Sequence, residues 1–110
     1  MKKLSLTTFN MEVQNSDLPC VIKFYKDECW MCQELRPVYK KLERKLNKEY
    51  NFYVVDDGEN EDLGTIFDID GVLSVYVYSK KTGMKEVPFP EERGYTYDYL
   101  YDFLEYHDYL

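Results

Sequence analysis

The chain is 110 residues long, the size of one ordinary domain that can bury a continuous core without disulfide staples. With 45% hydrophobic and 17% aromatic residues it is too rich in core-forming groups to stay disordered, although 32% of its residues are charged. A formal net charge of -7 argues against a nucleic-acid surface, because affinity for phosphates rests on Lys and Arg.

The first residues, with Lys2 and Lys3, contain neither an apolar h-region nor a small-residue cleavage site, and no stretch approaches a membrane span in length. The expectation is a cytoplasmic protein without an export signal or a membrane partner. Leu6, Phe9, Met11 and Val13, with Ser5, Thr7 and Thr8 as candidate caps, predict a short strand or turn and then a helix ending near residues 15–17. Residues 20–25 are a short β-branched and aromatic run between Pro19 and Asp27-Glu28, the pattern of a buried central strand.

Directly after that strand stands Cys29-Trp30-Met31-Cys32. Leu35, Tyr39, Leu42 and Leu46 then recur at helical spacing while Lys40, Lys41, Glu43, Arg44, Lys45 and Lys48 fill the other face. An amphipathic helix is therefore predicted from the motif to about Lys48. Pro37 lies inside it and removes one backbone hydrogen bond, which predicts a kink.

Residues 51–55 read as a second buried strand. Residues 56–62 read as a solvated acidic loop and helix start, and residues 61–67 as a short helix. Residues 72–78 alternate as a third strand; Thr82-Gly83 turns the chain so that residues 84–87 return antiparallel at an edge, stopped by Pro88 and Pro90. Thr96 can cap a last helix with Leu100, Phe103, Leu104 and His107 on one face. The order is β-α-β-α-β-β-α in one domain spanning residues 1–110.

Three cysteines, two of them in one tight motif, do not make a structural disulfide framework; CxxC points to redox catalysis or metal. Free N–H groups and the dipole at a helix start favour a thiolate on Cys29, with Cys32 one turn in to resolve a mixed disulfide. The bland alternative is a pair of unreactive core thiols on a binding scaffold. Zinc would need two further ligands, and the soft candidates are Cys20, at the far end of its strand, and His107. Cys20 is most simply a buried small hydrophobe. Tyr95, Tyr97, Tyr99, Tyr101, Tyr106 and Tyr109 are either a partner surface or rings half-buried along the last helix.

The sequence resembles the thioredoxin family over nearly its whole length. The resemblance is carried by Cys29 and Cys32 after an apolar strand, Pro37 five residues beyond, an acidic strand end at Asp56 or Asp57, and Gly94 before the last helix. It implies an α/β thioredoxin fold, a central mixed sheet of four to five strands with helices on both faces. It also implies a monomeric thiol/disulfide oxidoreductase without bound cofactor or metal. Cys29 would be its nucleophile and Cys32 its resolving thiol; Pro37 and Gly94 would be structural. Substrates would be protein disulfides or small thiols, with a reductase or glutathione system supplying electrons. Trp30, Met31, Val72 and Leu73 would contact substrate, with Trp30 and Met31 offering an apolar, adaptable surface.

Several positions depart from the family's pattern. Leu73 stands where a cis-proline usually faces the site, so a trans peptide is expected there. Lys23 stands where a buried acid is usual, and Glu28 where a tryptophan usually precedes the first cysteine. Glu28 would oppose a thiolate on Cys29 by like-charge repulsion, and Lys23 would favour one on Cys32 if its ammonium points that way. Lys23 is otherwise a snorkelling lysine at the edge of the core. Two rival functions remain: a non-catalytic interaction module on the same scaffold, and a glutaredoxin-type enzyme, against which the element before Cys20 weighs.

Overall fold

The β-branched and aromatic runs form the middle of a five-stranded mixed sheet. The protein is seen in a computed structural model that describes residues 2–69, 71 and 73–106. The strands are β1 (Lys2–Lys3), β2 (Cys20–Tyr25), β3 (Asn51–Asp56), β4 (Ser74–Ser79) and β5 (Gly83–Val87), in the spatial order β1-β3-β2-β4-β5. β2 pairs parallel with β3, from Cys20 opposite Asn51 to Tyr25 opposite Asp56, and antiparallel with β4; β1 lies parallel to β3 and β5 antiparallel to β4. Two parallel strands cannot be joined by a hairpin, so α2 (Trp30–Leu46) crosses over between β2 and β3.

Alternation along β2 divides its side chains between two cores. Val21 packs with Leu35, Tyr39, Leu42 and Leu46 of α2, and with Leu100 and Leu104 of α4 (Tyr97–Tyr106). Ile22 and Phe24 pack on the opposite face with Phe9, Val13 and Leu63, from α1 (Leu6–Thr8), the π-helical turn that continues it over Phe9–Val13, and α3 (Glu61–Ile66). Each such fully buried aliphatic or aromatic side chain stabilises the fold by roughly 1.5–3 kcal/mol. The same alternation puts Lys23 on Val21's side of the sheet, beneath α2.

Ser5 caps α1 reciprocally with Thr8: the Thr8 N–H donates to Ser5 Oγ at 3.3 Å and the Ser5 N–H to Thr8 Oγ1 at 2.7 Å. Thr96 caps α4, its Oγ1 accepting from the Tyr99 N–H at 3.2 Å. Leu100 and Leu104 are buried on the core face of α4 with Phe103 partly buried beside them, while His107 lies outside the described residues. α2 runs unbroken through Pro37.

The stretch expected to open as a short strand or turn is helical from Leu6 to Val13, and the first strand is instead the two lysines of β1, which carried no strand signal; β4 begins at Ser74, and Val72 is outside the described residues. The acidic stretch is not wholly solvated. Asp56 ends β3 as a buried residue, and its Oδ1 accepts the Gly58 N–H at 3.0 Å, so the side chain caps the turn. Several tyrosines are tied into the fold: Tyr95 is buried, and its hydroxyl donates to the Val87 carbonyl at 2.7 Å, while that of Tyr99 donates to the Pro88 carbonyl at 2.6 Å. Tyr106 is exposed, and Tyr109 lies outside the described residues.

Gly94 turns the chain into α4 with φ of +66°, the left-handed region, and a Cβ there would sit 3.5 Å from Phe89 Cζ. The space is adequate but the backbone is not. Gly94→Ala is expected to cost about 1–2 kcal/mol, read as a lower urea midpoint at unchanged slope; an unchanged midpoint would show that the turn relaxes freely.

Candidate active site

β2 ends at Tyr25, and the chain turns through Lys26–Glu28 to bring Cys29 to the N-cap of α2. Cys29 keeps extended backbone angles (φ -84°, ψ 112°), and its Sγ accepts the Cys32 N–H at 3.1 Å. That contact replaces the usual Ser or Asp cap with a sulfur, directly on the positive end of a 17-residue helix. Cys29 and Cys32 are joined as a disulfide, with Cα atoms 5.1 Å apart. Cys29 is partly exposed, whereas Cys32 is buried and begins the apolar stripe that continues through Leu35 and Tyr39.

Two cavities flank the pair. On one side Trp30 and Met31, both exposed, form with Leu73, Phe89, Arg93 and Tyr97 a groove of about 510 Å³. Leu73 also packs against the α2 core, so it joins the wall of the groove to the interior. Val72 falls outside the described residues. On the other side Cys32 and Lys23 line a cavity of about 380 Å³. Glu28 is exposed and lines neither cavity, and Pro37 lies on the exposed face of α2.

Lys23 does not snorkel to the edge of the core. It is only 5% exposed, with Nζ 4.9 Å from the Tyr39 ring centroid and 5.8 Å from that of Tyr25. Burial, with the neighbouring charges of Arg36 and Lys40, lowers its pKa to about 8. In the unfolded chain the group titrates near the ordinary value of about 10.4. Below about pH 8 both states carry the proton and the full cost of burying the charge is present. Between about pH 8 and about 10.4 the unfolded state binds more protons, so stability rises with pH.

Lys23→Met removes that cost. It should stabilise the protein at neutral pH by about 1–3 kcal/mol, and the gain over wild type should shrink toward about pH 10.4. Urea unfolding at several pH values measures it; a pH-independent difference would mean that Lys23 does not titrate low.

Cys20 is fully buried at the opposite end of β2, and burial raises its thiol pKa. Among the described residues no three His, Cys, Asp or Glu side chains are grouped as metal ligands would be. No helix among them is long and apolar enough to cross a membrane. The basic character of the Lys23 cavity, which draws residues from four chain segments, was not visible in any local motif.

A family model described as Thioredoxin matches residues 1–95. The chain belongs to the thioredoxin family. A thioredoxin of Borreliella burgdorferi is 29% identical over 59 residues, covering 54% of this chain and 50% of that protein. Protein disulfide-isomerase A6 of Homo sapiens is 27% identical over 84 residues, 76% of this chain and 19% of that protein. Protein disulfide-isomerase A4 of Mus musculus is 33% identical over 82 residues, 70% of this chain and 13% of that protein. The chain thus spans half or less of these curated relatives.

Among solved structures, chloroplastic thioredoxin z superposes with a TM-score of 0.80 at 16% identity over 96% of this chain and 91% of that one. The J-Trx1 fragment of ERdj5 gives 0.81 at 15% identity over 94% of this chain and 49% of that one. The thioredoxin fold and the mixed sheet expected from the sequence are therefore present, with helices on both faces.

Proposed function

We propose that the protein is a thiol/disulfide oxidoreductase in which Cys29 and Cys32 cycle between dithiol and disulfide. The observation that carries this reading is the partly exposed Cys29 at the N-cap of α2, with the buried Cys32 within bonding reach. Motifs of this kind lower the pKa of the first thiol, and the free N–H groups and dipole at the start of α2 favour its thiolate.

In the reducing direction the Cys29 thiolate attacks one sulfur of a substrate disulfide. That bond breaks, its other sulfur leaves as a thiolate and takes a proton, and a mixed disulfide forms. Cys32 then gives up its proton and attacks Cys29 Sγ, closing the pair and releasing the second substrate thiol. Two electrons have moved to the substrate, and a dithiol-type reductase or glutathione system restores them. Trp30, Met31 and Leu73 present the apolar groove wall to a protein substrate, and the Lys23 ammonium beside Cys32 favours a thiolate there as it attacks.

A second reading is favoured by the exposure of Trp30, 70% open beside the groove: the scaffold holds a partner without turning over. Reduction of insulin by dithiothreitol separates the two. The wild type should accelerate it and Cys29→Ser should return it to the uncatalysed rate; equal background rates for both would leave only the binding module.

A further inference from the structure

The 380 Å³ cavity on the Lys23 side of Cys32 is separate from the Trp30 groove, and its charge is unlike that of the chain. Lys3, Lys23, Lys26, Arg36 and Lys40 line it, five of the 14 Lys and Arg in a protein of net charge -7, and among the described residues Asp27 is the one acid in its walls. The topology produces this concentration. β1 contributes Lys3, and β2 contributes Lys23 and Tyr25; the following loop contributes Lys26 and Asp27. Cys32, Arg36 and Lys40 repeat every four residues along α2 and so lie one above another over Lys23, with Gln33 and Tyr39 beside them and the apolar Val54 of β3 as floor.

These cations are poorly answered from within the protein. Lys26 reaches Asp57 at 3.9 Å, and Lys3 interacts with the Tyr25 hydroxyl and, more weakly, with the charges of Glu59 and Asp27. Among the described residues Lys23, Arg36 and Lys40 make no ion pair, and Lys23 has only the faces of Tyr39 and Tyr25. A lysine side chain only 5% exposed, its ammonium repelled by Arg36 and Lys40, costs stability unless an anion shares the space. The volume matches a small organic ligand rather than a macromolecule. Arg36 offers the planar fork that grips a carboxylate or phosphate in bidentate fashion, and Lys23 and Lys40 act as point charges.

We propose that this cavity binds a small polyanion, a phosphate- or carboxylate-bearing compound with at least two negative charges, seated over Lys23 between Arg36 and Lys40. It does not depend on turnover at Cys29, because the disulfide form already has the cavity.

The test is calorimetric titration of the full chain in its disulfide form with citrate, at constant ionic strength. Citrate keeps its charge between about pH 7 and about pH 9.5, so any change in affinity there belongs to the protein. Saturable one-site binding at neutral pH is expected. Lys23→Met and Arg36→Gln should each weaken it about tenfold or more, while Lys48→Gln, beyond the far end of α2, changes it less than about twofold. Wild-type affinity should fall about tenfold over that range as Lys23 loses its proton, and the Lys23→Met profile should be flat. Arg36 is exposed, so its substitution does not disturb the core. Absent saturation, or both cavity variants binding within about twofold of wild type, overturns the site.

Discussion

Cys32→Ser should accumulate as a covalent adduct with an oxidised protein substrate, because it keeps the attacking sulfur and loses the one that resolves. The hydroxyl of serine is not a competent nucleophile toward a disulfide at neutral pH, so the mixed disulfide on Cys29 has no internal exit. Turnover in the insulin assay should drop to background. The adduct should appear as an added mass on a non-reducing gel and vanish with dithiothreitol. Cys29→Ser should form none, since the two remaining thiols, Cys32 and Cys20, are both buried. Adducts in Cys29→Ser alone would make Cys32 the attacking thiol, equal levels in both variants would place the attack on Cys20, which both keep, or on either motif thiol alike, and adducts in neither would remove exchange chemistry from this chain.

The largest expected loss of stability is at Tyr39. Its side chain is fully buried, its hydroxyl lies 3.0 Å from the Val21 carbonyl and 2.8 Å from that of Tyr53, and its ring meets Phe52 edge-on at 5.5 Å. One side chain thus ties α2 to both β2 and β3. Tyr39→Phe keeps the ring and leaves two buried carbonyls without that donor, an expected cost of about 1–3 kcal/mol. Tyr39→Ala also opens a cavity beside Phe52, for about 3–5 kcal/mol in all. Urea midpoints at constant slope measure both, and a Phe variant within about 0.5 kcal/mol of wild type would show the hydroxyl to be dispensable.

The parts that were legible in the sequence are those whose signal is local. Residues 20–25 and 51–55 read as strands because both of their faces are buried, which leaves a continuous apolar run rather than an alternation. Leu35, Tyr39, Leu42 and Leu46 fixed the buried face of α2, and the CxxC motif marked its start. β1 could not be read: two exposed lysines carry no strand signal, and their conformation is set by pairing with Tyr53 and Val54. Asp56 misled because charge normally marks a solvated loop, whereas here the carboxylate is consumed by the turn that follows. Sequence alone leaves Lys23 between tuning the Cys32 thiol and snorkelling at the core edge, and the crossover of α2 above β2 encloses it. The basic cavity needs residues 3, 23, 26, 36 and 40 at once, and that proximity comes from the strand order together with the crossover of α2.

The two outer strands have a further consequence. β1 is a pair of exposed lysines, and β5 places Lys85 and Glu86, both exposed, just before Pro88. Neither rim therefore offers the long, flat, uncharged ladder on which another molecule could stack by main-chain bonding. A chain with this density of aromatic and β-branched segments would otherwise template fibrils, and these margins give it a barrier to aggregation that is independent of its chemistry.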